Sequence, residues 1–112
     1  MKIFNHSKNN LIAENAQKPK GIVHHSIGLI CAKKARPLIL NTRFGIHTFG
    51  LRFPIDILIL DNNHKVAVVK ESLPAFRIFM WKPVYNVVIE LPAGTIKKTK
   101  TSLRDQISIQ KF

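Results

Sequence analysis

The residues best suited to chemistry lie within one apolar stretch, residues 46–61, and the most informative of them is Asp56. An ionised aspartate cannot move from water into an apolar wall without a partner, because its desolvation costs several kcal/mol or more. The polar groups around Asp56 are therefore the best lead to a site. The predicted ligand-binding residues are His47, Thr48, Arg52, Asp56 and Glu90.

Together these side chains could orient a polar ligand. Histidine can act as acid or base, arginine can hold an anion, and aspartate can orient either of them. On a strand Arg52 and Asp56 share a face but lie roughly 13 Å apart, so Asp56 could pair with a neighbouring strand instead. The alternative is a buried polar network that fixes a bend at Gly50 and the start of the strand. The network is slightly favoured, because no nucleophile is clearly placed.

The patterns assign no catalytic residue. An enzymatic function with His47 as general base is an open alternative. It requires His47 to face a cleft within hydrogen-bond reach of a carboxylate. No metal site and no cofactor are predicted, because Cys31 is the only cysteine and the adjacent pair His24 and His25 cannot chelate one metal as an i, i+4 pair can. The sequence also has no Walker-type phosphate loop, no dinucleotide fingerprint and no Gly-x-Ser-x-Gly elbow.

The composition indicates one globular domain, residues 1–112, with a strong positive charge. Apolar residues make up 46% of the chain, which is enough for a core, and the formal net charge is +12. This charge favours anionic partners, either an anionic small molecule or peptide or a nucleic acid. Most cations are spread along the chain, which is typical of a solvated surface. The dense cluster that could contact nucleic acid is Lys97, Lys98 and Lys100.

The start of the chain gives an expectation about location. Residues 1–10 are polar and include no apolar segment of the kind found in secretory signals. No apolar run reaches the length of a membrane span, since Asp56 and Asp61 interrupt the best candidate. A soluble cytoplasmic protein without a transmembrane segment is therefore expected, and its single cysteine excludes an internal disulfide.

Short apolar runs separated by turn residues predict a mainly β fold. A short helix is predicted near Pro19 and reaching Ile30, whereas residues 1–10 are either an ordered edge or a tail. The expected architecture is a small antiparallel sandwich or barrel-like domain with at most one short N-terminal helix. The predicted strands are residues 11–13, 37–40, 51–60, 65–71, 86–91 and 106–109.

The central strand and its return strand form the clearest predicted hairpin. Phe53, Ile55, Ile57 and Ile59 alternate onto one face, and the other face is also mostly apolar, so the strand should be covered on both sides. Residues 61–64 are a turn signal, because asparagine tolerates the left-handed conformation that a tight hairpin demands. In the connection that follows, residues 73–82, the aromatic side chains either cap the core or line a groove, and capping is favoured.

Three short sequence blocks of this chain occur in the same order as in a known prokaryotic family. His47-Thr48-Phe49, Arg52-Phe53-Pro54-Ile55-Asp56 and Glu90-Leu91-Pro92-Ala93-Gly94 resemble blocks of the domain of unknown function 192 (DUF 192), over roughly residues 11–110. Leu51 departs from the family's methionine. Residues 103–105 depart from a Gly-Asp turn, which puts a positive φ there in question. The resemblance implies a mostly β sandwich or barrel and no established activity.

Overall fold

The computed structural model describes residues 1–18, 36–43, 45–48 and 52–111. In these ranges a strand overlaps each of the six predicted ones, and three further strands, at residues 2–5, 46–47 and 78–79, were not predicted. The strands are β1 (Lys2–Asn5), β2 (Asn10–Ala13), β3 (Leu38–Asn41), β4 (Ile46–His47), β5 (Ile55–Leu60), β6 (Val66–Leu73), β7 (Ile78–Phe79), β8 (Val87–Pro92) and β9 (Ile107–Gln110). The helix α1 (Thr95–Thr99) follows β8.

The strands form antiparallel sheets, which confirms the predicted fold class. A four-stranded sheet has the order β3-β8-β5-β6, a three-stranded sheet has the order β2-β1-β9, and β4 pairs with β7 in a two-stranded ribbon. Strand β1 is thus the centre of its sheet, and not an edge or a tail. The sequence patterns missed helix α1, and the helix predicted near Pro19 falls outside the described residues.

Strand β5, inside the four-stranded sheet, is covered on both faces, as its alternation predicted. All six β5 residues are buried. On one face lies what we call the helix-side core, made by Ile3, Ile12, Ile39, Leu58, Leu60, Ile89, Leu91, Ile96 and Ile107 with their buried neighbours. On the other face lies the ribbon-side core, made by Leu38, Leu40, Ile46, Ile55, Ile57, Ile59, Leu73 and Val88.

The β5–β6 hairpin is confirmed, with a different residue at its left-handed position. The turn takes φ 59 at His64 and not at either asparagine. Asp61 Oδ1 accepts hydrogen bonds from Asn63 N and Lys65 N at 2.8 and 2.9 Å, so the carboxylate closes the turn. The pairing register shifts twice, and one shift lies between Ile55 and Ile57, opposite Asp56. Such bulges bend a strand and re-aim its groups.

Two other turns also depend on positive φ. Gly45 has φ 94, and a Cβ there would lie 2.9 Å from Phe79 O, so glycine permits the close approach of β4 and β7. Arg104 has φ 71, so the turn in residues 103–105 is left-handed although no glycine is present. Its amide donates to Val66 O at 2.7 Å, which holds the turn against β6.

In the connection at residues 73–82, some of the large side chains cap the core and others do not. Phe79 and Trp81 are half-buried and pack against the ribbon-side core, as capping predicts. Trp81 also donates its indole N–H to Tyr85 O at 2.7 Å. Phe76 and Met80 are exposed, by 66% and 72% of their surfaces, so they do not cap the core.

Candidate functional site

Asp56 is fully buried, and both of its carboxylate oxygens accept hydrogen bonds from backbone amides. Oδ1 accepts from Ser72 N at 2.8 Å, and Oδ2 accepts from Ile96 N at 2.9 Å. Leu73 pairs with Ile55 and Lys70 pairs with Ile57, so two residues of β6 face the single Asp56. Ser72 has φ 51, which turns its amide toward the carboxylate.

Through its bond to Ile96 N, Asp56 of β5 caps the start of helix α1. The first amides of a helix lack partners within it, and an acidic side chain commonly accepts from the second or third of them. Gly94 occupies the cap position of α1 and has no side chain for this role. Asp56 provides the missing acceptor from 40 residues away. The carboxylate in this apolar strand thus serves as the acceptor for two backbone amides, that of Ser72 in the bulge and that of Ile96 at the helix start.

Thr48 ties the ribbon to the connection that follows β6. Its buried hydroxyl donates to Pro74 O at 2.7 Å and accepts from Arg77 N at 2.8 Å. Its backbone N donates to Arg77 O at 2.9 Å, and its carbonyl accepts from Phe76 N at 3.2 Å. This one residue therefore sets the path of the backbone from residue 74 to residue 77.

Glu90 is buried without such partners among the residues that the structure describes. It is 3% exposed, it lies on β8 between Leu38 of β3 and Ile57 of β5, and its Oε2 has no hydrogen-bond partner in the described part of the chain. Burial raises the pKa of Glu90 from 4.5 to about 7, because the apolar surroundings disfavour its charged form. The other buried side-chain oxygen without a partner in these ranges, Oδ1 of Asn10, belongs to an amide whose nitrogen donates to Thr99 O.

The sheet separates the two carboxylates. Asp56 shares a face with Leu58 and Leu60 and points into the helix-side core, whereas Glu90 shares a face with Val88 and points into the ribbon-side core. They therefore cannot contact one ligand from the same side. The five predicted ligand-binding residues do not all meet around Asp56.

Arg52 and His47 are placed only in part. Arg52 is exposed and forms no ion pair with Asp56 among the described residues. The backbone of His47 pairs with Ile78 in the ribbon, on the side of the sheet that carries Glu90. Its side chain lies outside the described atoms, so a role for His47 in catalysis stays a prediction.

The three lysines proposed to contact nucleic acid are all exposed. Lys97 and Lys98 lie in the last turn of α1, and Lys100 follows with φ 56 as its C-cap. Cations at this end of a helix interact favourably with the partial negative charge of the terminal carbonyls. The cluster therefore has a structural use that is independent of any partner.

A second buried polar network was missed by the sequence analysis. Asp105 accepts from Asn5 Nδ2 at 2.9 Å, from Lys8 Nζ at 2.9 and 3.0 Å, and from Ser102 N at 3.0 Å. Burial by itself would raise the pKa of Asp105, but these hydrogen bonds and the charge of Lys8 together hold it below its usual value. Asn5 and Asp105 are 100 residues apart. Only the pairing of β1 with β9 could have revealed the contact.

The described ranges contain neither a cluster of metal ligands nor a helix that could span a membrane. No group of three or more His, Cys, Asp or Glu side chains gathers there as metal ligands. No helix in those ranges is both long enough and apolar enough to cross a membrane.

The chain is thus a small antiparallel β protein in which a buried aspartate joins a strand bulge to a helix start. A UPF0127 protein of Pyrococcus horikoshii is 30% identical over 111 residues, which cover 94% of this chain and 96% of that protein. The chain therefore belongs to the UPF0127 family. No family model matches the chain.

Two solved structures share the fold at low sequence identity. One is described as a putative transcription regulator from Sinorhizobium meliloti, with a TM-score of 0.75 and 14% identity, over 96% of this chain and 89% of that one. The other is a protein of unknown function from Novosphingobium aromaticivorans, with a TM-score of 0.72 and 11% identity, over 96% and 82%. At these identities the likeness concerns the fold alone.

Proposed function

We propose that this protein is a small binding module that recognises an amide-bearing ligand, such as a short peptide segment, on the sheet face that carries Glu90. The observation that carries the proposal is the buried Oε2 of Glu90, which has no partner among the described residues. Buried polar atoms are nearly always hydrogen-bonded, and each exception calls for an explanation. A ligand that completes the bond is one such explanation.

The protonation of Glu90 indicates the chemistry of the ligand. With a pKa of about 7, a large share of the Glu90 side chains is a neutral acid at neutral pH. A neutral carboxyl has one O–H donor and a carbonyl acceptor on adjacent atoms. A peptide amide offers the matching acceptor and donor. In this proposal His47 and Arg52 are the further predicted contacts of the ligand. Thr48, whose hydroxyl is already bonded to Pro74 O and Arg77 N, serves the framework, as Asp56 does.

An NMR titration with N-acetylalanine methylamide, a neutral probe with two amide groups, tests this function. We expect chemical-shift changes at residues 87–91 at pH 6 that weaken as the pH rises through about 7. The Glu90→Gln variant keeps a donor and an acceptor at every pH, so it should bind without this pH dependence. Glu90→Leu should not bind, and Glu71→Gln, at an exposed glutamate of β6, should behave as wild type.

Two results would overturn the proposal. One is binding by Glu90→Leu with wild-type affinity. The other is the absence of any shift at residues 87–91 with the probe at about 50 mM, well above the weak affinity expected for so small a ligand.

Association with nucleic acid is the second candidate, and the exposed cluster Lys97, Lys98 and Lys100 favours it. The Sinorhizobium meliloti protein of similar fold is described as a putative transcription regulator. Binding of a duplex should fall steeply between about 50 and 200 mM salt, because phosphate contacts release counterions. Replacing the three lysines by glutamine should reduce the slope, and no gel shift at the lower salt concentration would remove this candidate.

Three narrower proposals accompany this function. The blocks at residues 47–56 and 90–94 support assignment to the domain of unknown function 192, a narrower statement than membership of the UPF0127 family. A cytoplasmic location is the second of these proposals. An enzyme with His47 as general base rests on the residue type alone.

A further inference from the structure

A pocket of about 240 Å³ opens beside the hairpin turn, on the opposite side of the four-stranded sheet from Glu90. Its apolar floor is formed by Ile39 of β3, Val87 of β8 and Ile109 of β9. All three belong to the helix-side core or pack against it. Three strands from two sheets therefore form one apolar floor.

The rim of this pocket carries basic side chains. Lys18, His64 and Lys111 line it, and no carboxylate is among its lining residues in the described part of the chain. The side chains of these three residues, and that of Asn41 beside them, form no hydrogen bond or ion pair within the described ranges. Polar groups without a protein partner thus surround an apolar floor.

The histidine of the rim is held in place by its backbone. His64 has φ 59, a left-handed conformation that histidine, asparagine and aspartate adopt more often than other residues besides glycine. Its amide donates to Asp61 O at 3.0 Å, and its carbonyl accepts from Ile107 N at 2.9 Å. These two bonds fix the residue between the hairpin and β9, where its side chain lines the pocket.

We infer that this pocket binds a small organic anion with an apolar body, such as a short-chain carboxylate. The apolar part lies on the floor of Ile39, Val87 and Ile109, and the carboxylate faces Lys18, His64 and Lys111. The volume equals that of roughly eight water molecules. That size suits a ligand such as hexanoate. The site is independent of the Glu90 face, because it lies on the other side of the sheet.

The test uses three probes that separate charge from apolar contact. Hexanoate has both features, 1-hexanol has only the apolar chain, and inorganic phosphate has only the charge. Each is titrated at low ionic strength, where exposed charges are least screened, and the amide shifts of His64 and Val87 are followed by NMR. We expect hexanoate to bind at about 1 mM or tighter, as suits so small a ligand, and the other two at least about tenfold more weakly.

A pair of matched double variants tests the rim. Lys18→Gln/Lys111→Gln should weaken hexanoate binding by about threefold to tenfold. Lys65→Gln/Lys70→Gln removes the same charge from exposed positions that do not line this pocket, so it should change the affinity by less than about twofold.

Four results would overturn the inference. Hexanol binding as tightly as hexanoate would make the cations irrelevant, and phosphate binding as tightly would make the apolar floor irrelevant. Equal effects of the two double variants would show that the net charge of the protein, and not the lysines of the rim, determines the affinity. The absence of shifts at His64 and Val87 with hexanoate at about 20 mM would remove the site.

Discussion

The two buried carboxylates of the four-stranded sheet differ in their partners more than in their surroundings. Asp56 on one face accepts two backbone hydrogen bonds, one from a bulge and one from a helix start. Glu90 on the other face lies between Leu38 and Ile57 with Oε2 unpaired among the described residues. Two acids on adjacent strands thus differ in their hydrogen bonds, because in the described part of the chain Asp56 meets backbone amides and Glu90 Oε2 does not.

The comparison teaches that a buried charge in a strand does not by itself indicate a site. Asp56 is the more prominent residue in the sequence, and its partners give it a structural use. Glu90 is less prominent, since it lies close to Pro92 and Gly94 at the end of a strand, but its Oε2 has no hydrogen-bond partner among the described residues. The candidate site therefore follows the unpaired atom and not the most unusual residue.

The largest effect is expected from removing the paired carboxylate. Asp56→Ala leaves the buried amides of Ser72 and Ile96 without acceptors, so the free energy of unfolding should fall by about 4 kcal/mol. Urea denaturation measures the change. If the variant does not fold, Asp56→Asn, which keeps one acceptor oxygen, should give a smaller measurable loss.

Asp61→Ala is the matched control for this prediction. Asp61 also accepts two backbone hydrogen bonds, but they lie at an exposed turn where water can replace them. Its loss should cost about 1 kcal/mol. Equal losses for Asp56→Ala and Asp61→Ala would show that burial is not the source of the effect.

An effect of opposite sign is expected for the unpaired carboxylate. In the unfolded chain the pKa of Glu90 is 4.5, and in the folded chain it is about 7. Between these values the folded state holds a proton that the unfolded state releases, so stability falls as the pH rises from about 4.5 and levels off above about 7. The gap between the two pKa values corresponds to about 3 kcal/mol.

Glu90→Leu removes this loss. We expect the variant to equal wild type near pH 4.5 and to exceed its free energy of unfolding by about 2–3 kcal/mol at pH 8. Urea denaturation at several pH values measures the difference, and subtracting the wild-type curve cancels the titration of the histidines. Parallel curves for the two proteins would contradict the raised pKa of Glu90.

An effect smaller than those at the two buried carboxylates is expected at the ribbon. Thr48→Val removes the hydroxyl that bonds to Pro74 O and Arg77 N, so stability should fall by about 1–2 kcal/mol. Limited proteolysis should also cut the connection at residues 74–77 faster than in wild type. Thr48→Ser keeps the hydroxyl and should behave nearly as wild type, and equal cleavage of both variants would contradict the role of this bond.

The sequence by itself determined the elements whose residues alternate. The alternation of β5 determined which side chains share a face, and residues 61–64 located the hairpin. Local patterns succeed there, because the side chains of a strand alternate with a period of two, so the residues that share a face can be identified from the sequence alone. The same reasoning located Glu90 beside apolar neighbours.

Only the tertiary structure decided what the polar residues do. Ser72 and Ile96 reach Asp56 from 16 and 40 residues away, and Asn5 reaches Asp105 across 100 residues. Helix α1 has five residues, too few to show a helical period, and it is held by Asp56 and by the burial of Ile96. Alternation records which way a side chain points, whereas hydrogen-bond partners depend on which distant segments the sheets bring together.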